Sequence, residues 1–304
     1  MAMLMLLAAG QAGPAERDKS GTNVPRNPIP SSSLLGILGV PDARSLGAGR
    51  GNRKVSMPAL GRLESEREFH DRQADGRLHA DLRFADADYL DHETWIRPAF
   101  ARLGDVRGKA VLDYGCGHGM TAVVLARAGA CVSAFDLSPG YVAEAERRAG
   151  VNGVSVKFRA ADAEHLPYAD GAFDAVWGNA ILHHLDLERA GAELHRVLKP
   201  GGVAVFCEPW GGNPLLGFAR RRLPYPGKER TPDERPLTRR DLAPLRSHFP
   251  RLSWRGYQML GMIRRVRAPR WLTAPADLAD AVAFAVCPPL QNLARYVVLV
   301  LPRG

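Results

Sequence analysis

Three glycines alternate in Val111-Leu112-Asp113-Tyr114-Gly115-Cys116-Gly117-His118-Gly119-Met120, directly after a short apolar run that ends in an acid. Such a run reads as a strand that opens into a nucleotide-binding turn. A dinucleotide fingerprint would place its third glycine at position 120, where this chain has Met120; here the third glycine comes one residue early, at Gly119. The spacing points to S-adenosylmethionine (SAM), a cofactor without a pyrophosphate. Gly115, Gly117 and Gly119 are expected to let the backbone turn tightly and approach the ribose and methionine parts of SAM with no Cβ in the way. Asp113 is the candidate for holding the methionine amino group, since its charge favours a cationic ligand; capping the turn is its alternative role.

Further candidates fall where other apolar runs end. Asp136, followed by Leu137, lies 21 positions beyond Gly115, near the offset of about 20 expected of an acid that accepts from both ribose hydroxyls. Asp162 and Ala163 offer an acceptor for the adenine amino group and a backbone donor for a ring nitrogen. After the next run come Asn179, His183 and His184. Asn179 is a candidate contact to cofactor or substrate, and either histidine titrates in a range useful to a general base. Adjacent histidines need not share a face, so at most one is expected to aim inward. Glu208 ends the following run as a third candidate base or as a substrate ligand. Tyr89, Trp95, Trp177 and Trp210 are candidates either for the wall of an acceptor pocket or for core packing.

The elements that must position these residues alternate between apolar runs and amphipathic stretches, the pattern of a parallel sheet covered on both faces. Strands are expected at 110–113, 131–136, 154–158, 173–177 and 203–207. Helices are expected at 120–128 and 139–149 and from Leu187 to Leu198, the last stopped by Lys199-Pro200-Gly201-Gly202. Residues 254–263 and 295–301 read as a late strand pair around a helical segment near 276–286, with the final strand antiparallel. Ahead of the core, 64–103 looks helical and able to close over the cofactor. Residues 210–237, rich in Gly, Pro and Arg, read as an insertion or lid.

Residues 1–60 lack periodicity and are expected to be a disordered extension before a domain over 61–304. The apolar start, Met1 to Gly10, has no basic segment before it and is far shorter than the ~20 residues that span a bilayer. Cys116, Cys131, Cys207 and Cys287 form no C-x-x-C pair, so reduced, mostly buried thiols in the cytoplasm are expected, with no metal site. The net charge of +9 is unevenly spread: residues 209–304 carry 17 basic and 6 acidic side chains, whereas 61–208 carry 17 and 23. The C-terminal third therefore suits an anionic partner, whether acidic substrate, membrane surface or nucleic acid, or is simply an arginine-rich solvated surface.

The region from about 109 to 208 resembles the class I SAM-dependent methyltransferases, and within them the small-molecule branch with the ubiquinone and menaquinone C-methyltransferases. The resemblance is carried by Val-Leu-Asp-Tyr-Gly-Cys-Gly-His-Gly at 111–119, Phe-Asp-Leu-Ser at 135–138 and Ala-Asp-Ala-Glu-His-Leu-Pro-Tyr at 161–168. Phe-Asp-Ala-Val at 173–176, Leu-His-His-Leu at 182–185 and Val-Leu-Lys-Pro-Gly-Gly at 197–202 complete it. It implies a Rossmann-like α/β fold, a seven-stranded, mostly parallel sheet of order 3-2-1-4-5-7-6 with helices on both faces. It also implies methyl transfer from SAM by in-line displacement to a small organic or lipid-like acceptor. Asn179 is followed by Ala-Ile-Leu rather than Pro-Pro-Tyr, which argues against methylation of adenine N6. RNA methylation elsewhere, using the basic C-terminal third, and a SAM-binding scaffold without catalysis are the alternatives.

Overall fold

The computed structural model describes residues 61, 64, 66–68, 70–71, 82–222, 235–266 and 269–304. The expected extension over 1–60 lies outside the described residues. Seven strands form one sheet: β1 (Ala110–Tyr114), β2 (Cys131–Asp136), β3 (Lys157–Ala160), β4 (Phe173–Asn179), β5 (Leu198–Pro209), β6 (Ser253–Tyr257) and β7 (Tyr296–Pro302). Their order is β3-β2-β1-β4-β5-β7-β6. β1 to β5 pair in parallel and β7 runs antiparallel to both neighbours.

Among the described residues from 82 onward the α-helices are α1 (Asp86–Leu90), α2 (Ile96–Phe100), α3 (Met120–Arg127), α4 (Pro139–Val151), α5 (Leu187–Val197), α6 (Pro214–Arg222), α7 (Leu242–His248) and α8 (Arg270–Val286). Side chains alternate across a strand, and both faces of the central strands are apolar because both are covered. Leu112, Tyr114, Val176 and Phe206 pack with Leu194 and Val197 of α5 and Leu242 and Leu245 of α7. Their neighbours Val111, Trp177 and Val205 pack on the other face with Ile96 and Ala99 of α2 and Ala122 and Leu125 of α3.

Local signals fix the helix ends. Ser138 caps α4 by accepting from the Tyr141 amide, with Pro139 at the first helical position. Asp186 caps α5 by accepting from the Glu188 and Arg189 amides. The register then brings the carboxyl ends of the parallel strands to one edge. Tyr114 pairs with Phe135 and with Gly178, and Asn179 pairs with Cys207.

Several expectations need correction. β3 begins three residues later than its apolar run, because an edge strand pairs on one side only and its pairing segment need not be its most apolar stretch. β5 starts at Leu198, which pairs with Phe173 before a register shift, so Lys199-Pro200-Gly201-Gly202 is the irregular start of the strand. β6 stops at Tyr257 because Gln258 turns left-handed (φ 60) and the buried Asp280 collects the amides of Met259, Leu260 and Gly261. α8 extends six residues ahead of the expected start, its early turns hidden in the sequence by Pro275. The stretch 82–103 is broken into short helices, and residues 214–222 of the expected insertion are regular helix. Two cysteines, Cys116 and Cys207, are buried, while Cys131 and Cys287 are exposed. Among the described residues no helix is long and apolar enough to cross a membrane.

Candidate functional site

The glycine turn joins β1 to α3 with all three glycines in the left-handed region: φ is 72° at Gly115, 48° at Gly117 and 83° at Gly119. Their reasons differ, which refines the sequence reading. A Cβ on Gly115 would lie 2.8 Å from Ile181 Cδ1, and one on Gly119 would lie 2.6 Å from Ala145 Cβ. Those two glycines permit close packing of protein on protein. A Cβ on Gly117 would meet no atom within 4 Å, so Gly117 is the glycine that leaves an open cradle in the turn.

Two acids flank this cradle. Asp113 is buried, one carboxylate oxygen has no partner among the described residues, and the Ala122 amide in the first turn of α3 serves the group, so the capping role is real but incomplete. Burial, reinforced by the charge of Asp136, pushes its pKa up to about 8. A buried acid with an orphaned oxygen fits a cationic group, which would satisfy the oxygen and favour the ionised form. Asp136 is also buried. It accepts from the Gly117 amide at 2.8 Å and the Ser138 amide at 3.0 Å, one on each oxygen. Desolvation raises its pKa, opposed by these amides and that of Leu137 and by His70. A carboxylate has about four acceptor sites, so Asp136 can still accept from a ribose hydroxyl beside these amides.

Asp162 accepts from the Glu164 amide at 2.8 Å and lies 3.3 Å from His165 Nδ1, and the buried Ala163 gives its carbonyl to the Tyr114 hydroxyl at 2.7 Å. Asn179 ends β4, and Ala180 behind it is left-handed at φ 57, a conformation that costs a residue with a Cβ about 1–2 kcal/mol. The bonds around it hold this turn. The Ala180 amide donates to the Cys207 carbonyl, and Glu208 accepts from the Ile181 amide at 2.9 Å and the Leu182 amide at 2.8 Å through one oxygen. Its other oxygen faces His183 Nδ1 at 2.8 Å. Glu208 is fully buried with both oxygens engaged, so it is placed to position the turn and the imidazole.

The two histidines come together, against the expectation that only one would point inward. Their ring centroids are 4.1 Å apart, and His184 Nδ1 lies 3.6 Å from Glu66. Both line a cleft of about 140 Å³ with Leu182, Glu66, Arg235 and Asp241. The aromatic candidates do not line it. Tyr89, Trp95, Trp177 and Trp210 are all buried in packing; Trp95 stacks on Tyr296 at 4.0 Å and Trp210 on Trp254 at 5.1 Å, and the Tyr89 hydroxyl accepts from Thr121.

Three residues missed in the sequence come from the helical stretch before position 72. Asp71 accepts from the Ser138 hydroxyl and, at 3.2 Å, from the Gly140 amide. His70 sits 5.5 Å from the Tyr141 ring and 6.2 Å from His184, and Glu66 closes the cleft. No motif marks them; the only signal was the helical look of a segment expected to cover the cofactor. Among the described residues no group of three His, Cys, Asp or Glu side chains is arranged to hold a metal ion.

Residues 112–206, the span from β1 to β5, match the family model described as a methyltransferase domain. The chain is 39% identical over 129 residues to a malonyl-[acyl-carrier protein] O-methyltransferase of Pseudescherichia vulneris, covering 42% of this chain and 46% of that protein. It is 42% identical over 116 residues to a demethylmenaquinone methyltransferase of Thermobifida fusca, covering 38% and 49%. The chain thus spans about half the length of these curated relatives. The crystal structure of geranyl diphosphate C-methyltransferase from Streptomyces coelicolor A3(2) shares the fold, with a TM-score of 0.53 at 17% identity over 82% of this chain and all of that one.

Proposed function

We propose that this protein, whose residues 112–206 match a methyltransferase domain, is a class I SAM-dependent methyltransferase that transfers a methyl group from SAM to a small organic or lipid-like acceptor. The observation that carries the reading is the pair of buried acids around the Gly117 cradle, one of them with an orphaned oxygen. Asp113 would take the methionine ammonium, Asp136 the ribose, and Asp162 with Ala163 the adenine edge. When bound, SAM supplies a methyl on a sulfonium, already activated for displacement.

The chain then has to orient the acceptor and, where the acceptor must lose a proton, receive it. His183 is the base in this reading. Glu208 accepts from Nδ1–H, which fixes the tautomer and leaves the basic lone pair on Nε2. Glu208 is a positioning residue: it holds His183 and, through two amides, the turn that carries it. Asn179 and His184 would contact the acceptor, and the names of the two relatives, malonyl-[acyl-carrier protein] and demethylmenaquinone enzymes, support a carrier-bound or lipid-like acceptor; the reaction would take place in the cytoplasm.

The test is calorimetric titration with SAM followed by transfer of labelled methyl into a cell extract. Binding with label in the small-molecule or lipid fraction is the expected result. Label in RNA would overturn the acceptor class, and binding without transfer to any fraction would make the protein a scaffold. His183→Ala should lower turnover about 10²–10⁴-fold and flatten the pH–rate profile while SAM affinity stays the same. Unchanged turnover would remove His183 from the role of base.

A further inference from the structure

α8 is built with its polar side turned in and its apolar side turned out. Asp280 is buried beneath the helix, holding the amides of residues 259–261, and Asp277 pairs with Arg264. The outward stripe consists of Trp271 (76% exposed), Leu278 (67%), Val282 (54%) and Val286 (80%), spaced to share one helix face. The remaining exposed positions between them are alanine, proline and leucine, so no charge stands on the outward side from position 271 to 287. A soluble helix ordinarily shows the opposite pattern, and an uninterrupted apolar face about 25 Å long marks an interaction site.

We propose that this face docks on an anionic lipid bilayer, with α8 lying in the headgroup plane. At 17 residues the helix is short of the ~20 needed to span, and its two acids, turned away from the apolar stripe, suit lying flat. Charge selects the occupant. Besides Arg264, which Asp277 holds, the sequence leading into the helix carries Arg265, Arg267 and Arg270, and the C-terminal third holds 17 basic against 6 acidic side chains. A second copy would bring like charge against like. An anionic bilayer satisfies the apolar stripe and the arginines together, and a tryptophan at the helix start suits the lipid–water interface.

The placement also connects to the proposed reaction. β6 runs parallel to β5, since both are antiparallel to β7, and Tyr257 and Pro209 both pair with Tyr296. The turn leading to α8 therefore leaves the same sheet edge at which Glu208 holds His183. Delivery of a lipid-like acceptor from the bilayer to that edge rests on the methyltransferase reading; the docking itself does not.

Flotation of the full chain with vesicles of equal parts phosphatidylglycerol and phosphatidylcholine, against phosphatidylcholine alone, tests the proposal. The protein should float with the anionic vesicles, and less so as salt is added. The double variant Leu278→Glu, Val282→Glu changes exposed positions and should lose at least tenfold in vesicle partition while keeping its circular dichroism and its calorimetric affinity for SAM. Absence of flotation, or equal flotation of the variant, overturns the proposal. So does a dimer in analytical ultracentrifugation that the variant dissolves, since it would put a second copy on the face. Flotation of a protein that binds no SAM would uphold the docking and refute the methyltransferase reading, which keeps the two apart.

Discussion

Asp113 has the most to lose by being left alone and the most to gain from a cation. Its carboxyl is held near pKa 8 by burial and by Asp136, whereas in the unfolded chain it titrates near the ordinary carboxylate value of about 4. A folded pKa above the unfolded one means that Asp113 favours the folded state fully below pH 4, and that this contribution is lost as pH rises through 8. In the absence of cofactor, Asp113→Asn should therefore melt higher than the wild type at pH 8 and show little difference near pH 4. A bound ammonium would draw the proton off, so SAM affinity should rise between pH 6 and pH 8, with proton release detected by titration in buffers of different ionisation enthalpy. Affinity independent of pH, together with an Asp113→Asn variant that binds SAM like the wild type, would remove Asp113 from the cofactor site. At this scale the sequence was informative wherever an acid ended an apolar run: Asp113, Asp136 and Glu208 all lie at one sheet edge. What sequence could not show was who else uses their oxygens. Glu208 looked like a base because its neighbours in the chain are apolar; its partners are amides 26 and 27 positions away.

The glycine turn works as an element because two helices close on it. Gly119 starts α3 and lies against Ala145 of α4, so a methyl group there meets Ala145 Cβ at 2.6 Å and Cα at 2.8 Å in a left-handed conformation. Gly119→Ala should cost about 2–4 kcal/mol from strain and overpacking together, read by denaturant unfolding. Gly117→Ala meets nothing and should cost only the strain of about 1–2 kcal/mol, but it should weaken SAM binding at least tenfold because its methyl occupies the cradle. Equal stability of the two variants would mean that α4 is not packed on the turn as described. Strands buried on both faces were legible because their apolar runs are continuous, and β1, β2 and β4 fall within two residues of the expected limits. β3 and β6 were displaced or shortened because their limits depend on neighbours: β3 pairs on one side only, and β6 ends where an aspartate 20 residues on, Asp280, captures its amides.

At the scale of the molecule, acidic and basic halves divide the work. The proposed cofactor edge carries Asp113, Asp136 and Asp162, with Asp71 on the Ser138 hydroxyl, which would suit a cationic cofactor, and the basic excess is left to the C-terminal third. The charge split was visible in the sequence, but its use was not, because composition does not say which way a helix faces. Residues 1–60, without helical or strand periodicity, are expected from the sequence to lie outside the domain. A chain beginning at Gly61 should unfold in one transition at the midpoint of the full chain and bind SAM with the same affinity, whereas removal of residues 1–71 should weaken binding by taking away Asp71 and His70 beside Asp136. Thermal denaturation and calorimetry on the two truncations distinguish the cases. Loss of stability in the first would assign residues 1–60 to the fold; unchanged affinity in the second would take the helical stretch before position 72 out of the cofactor site.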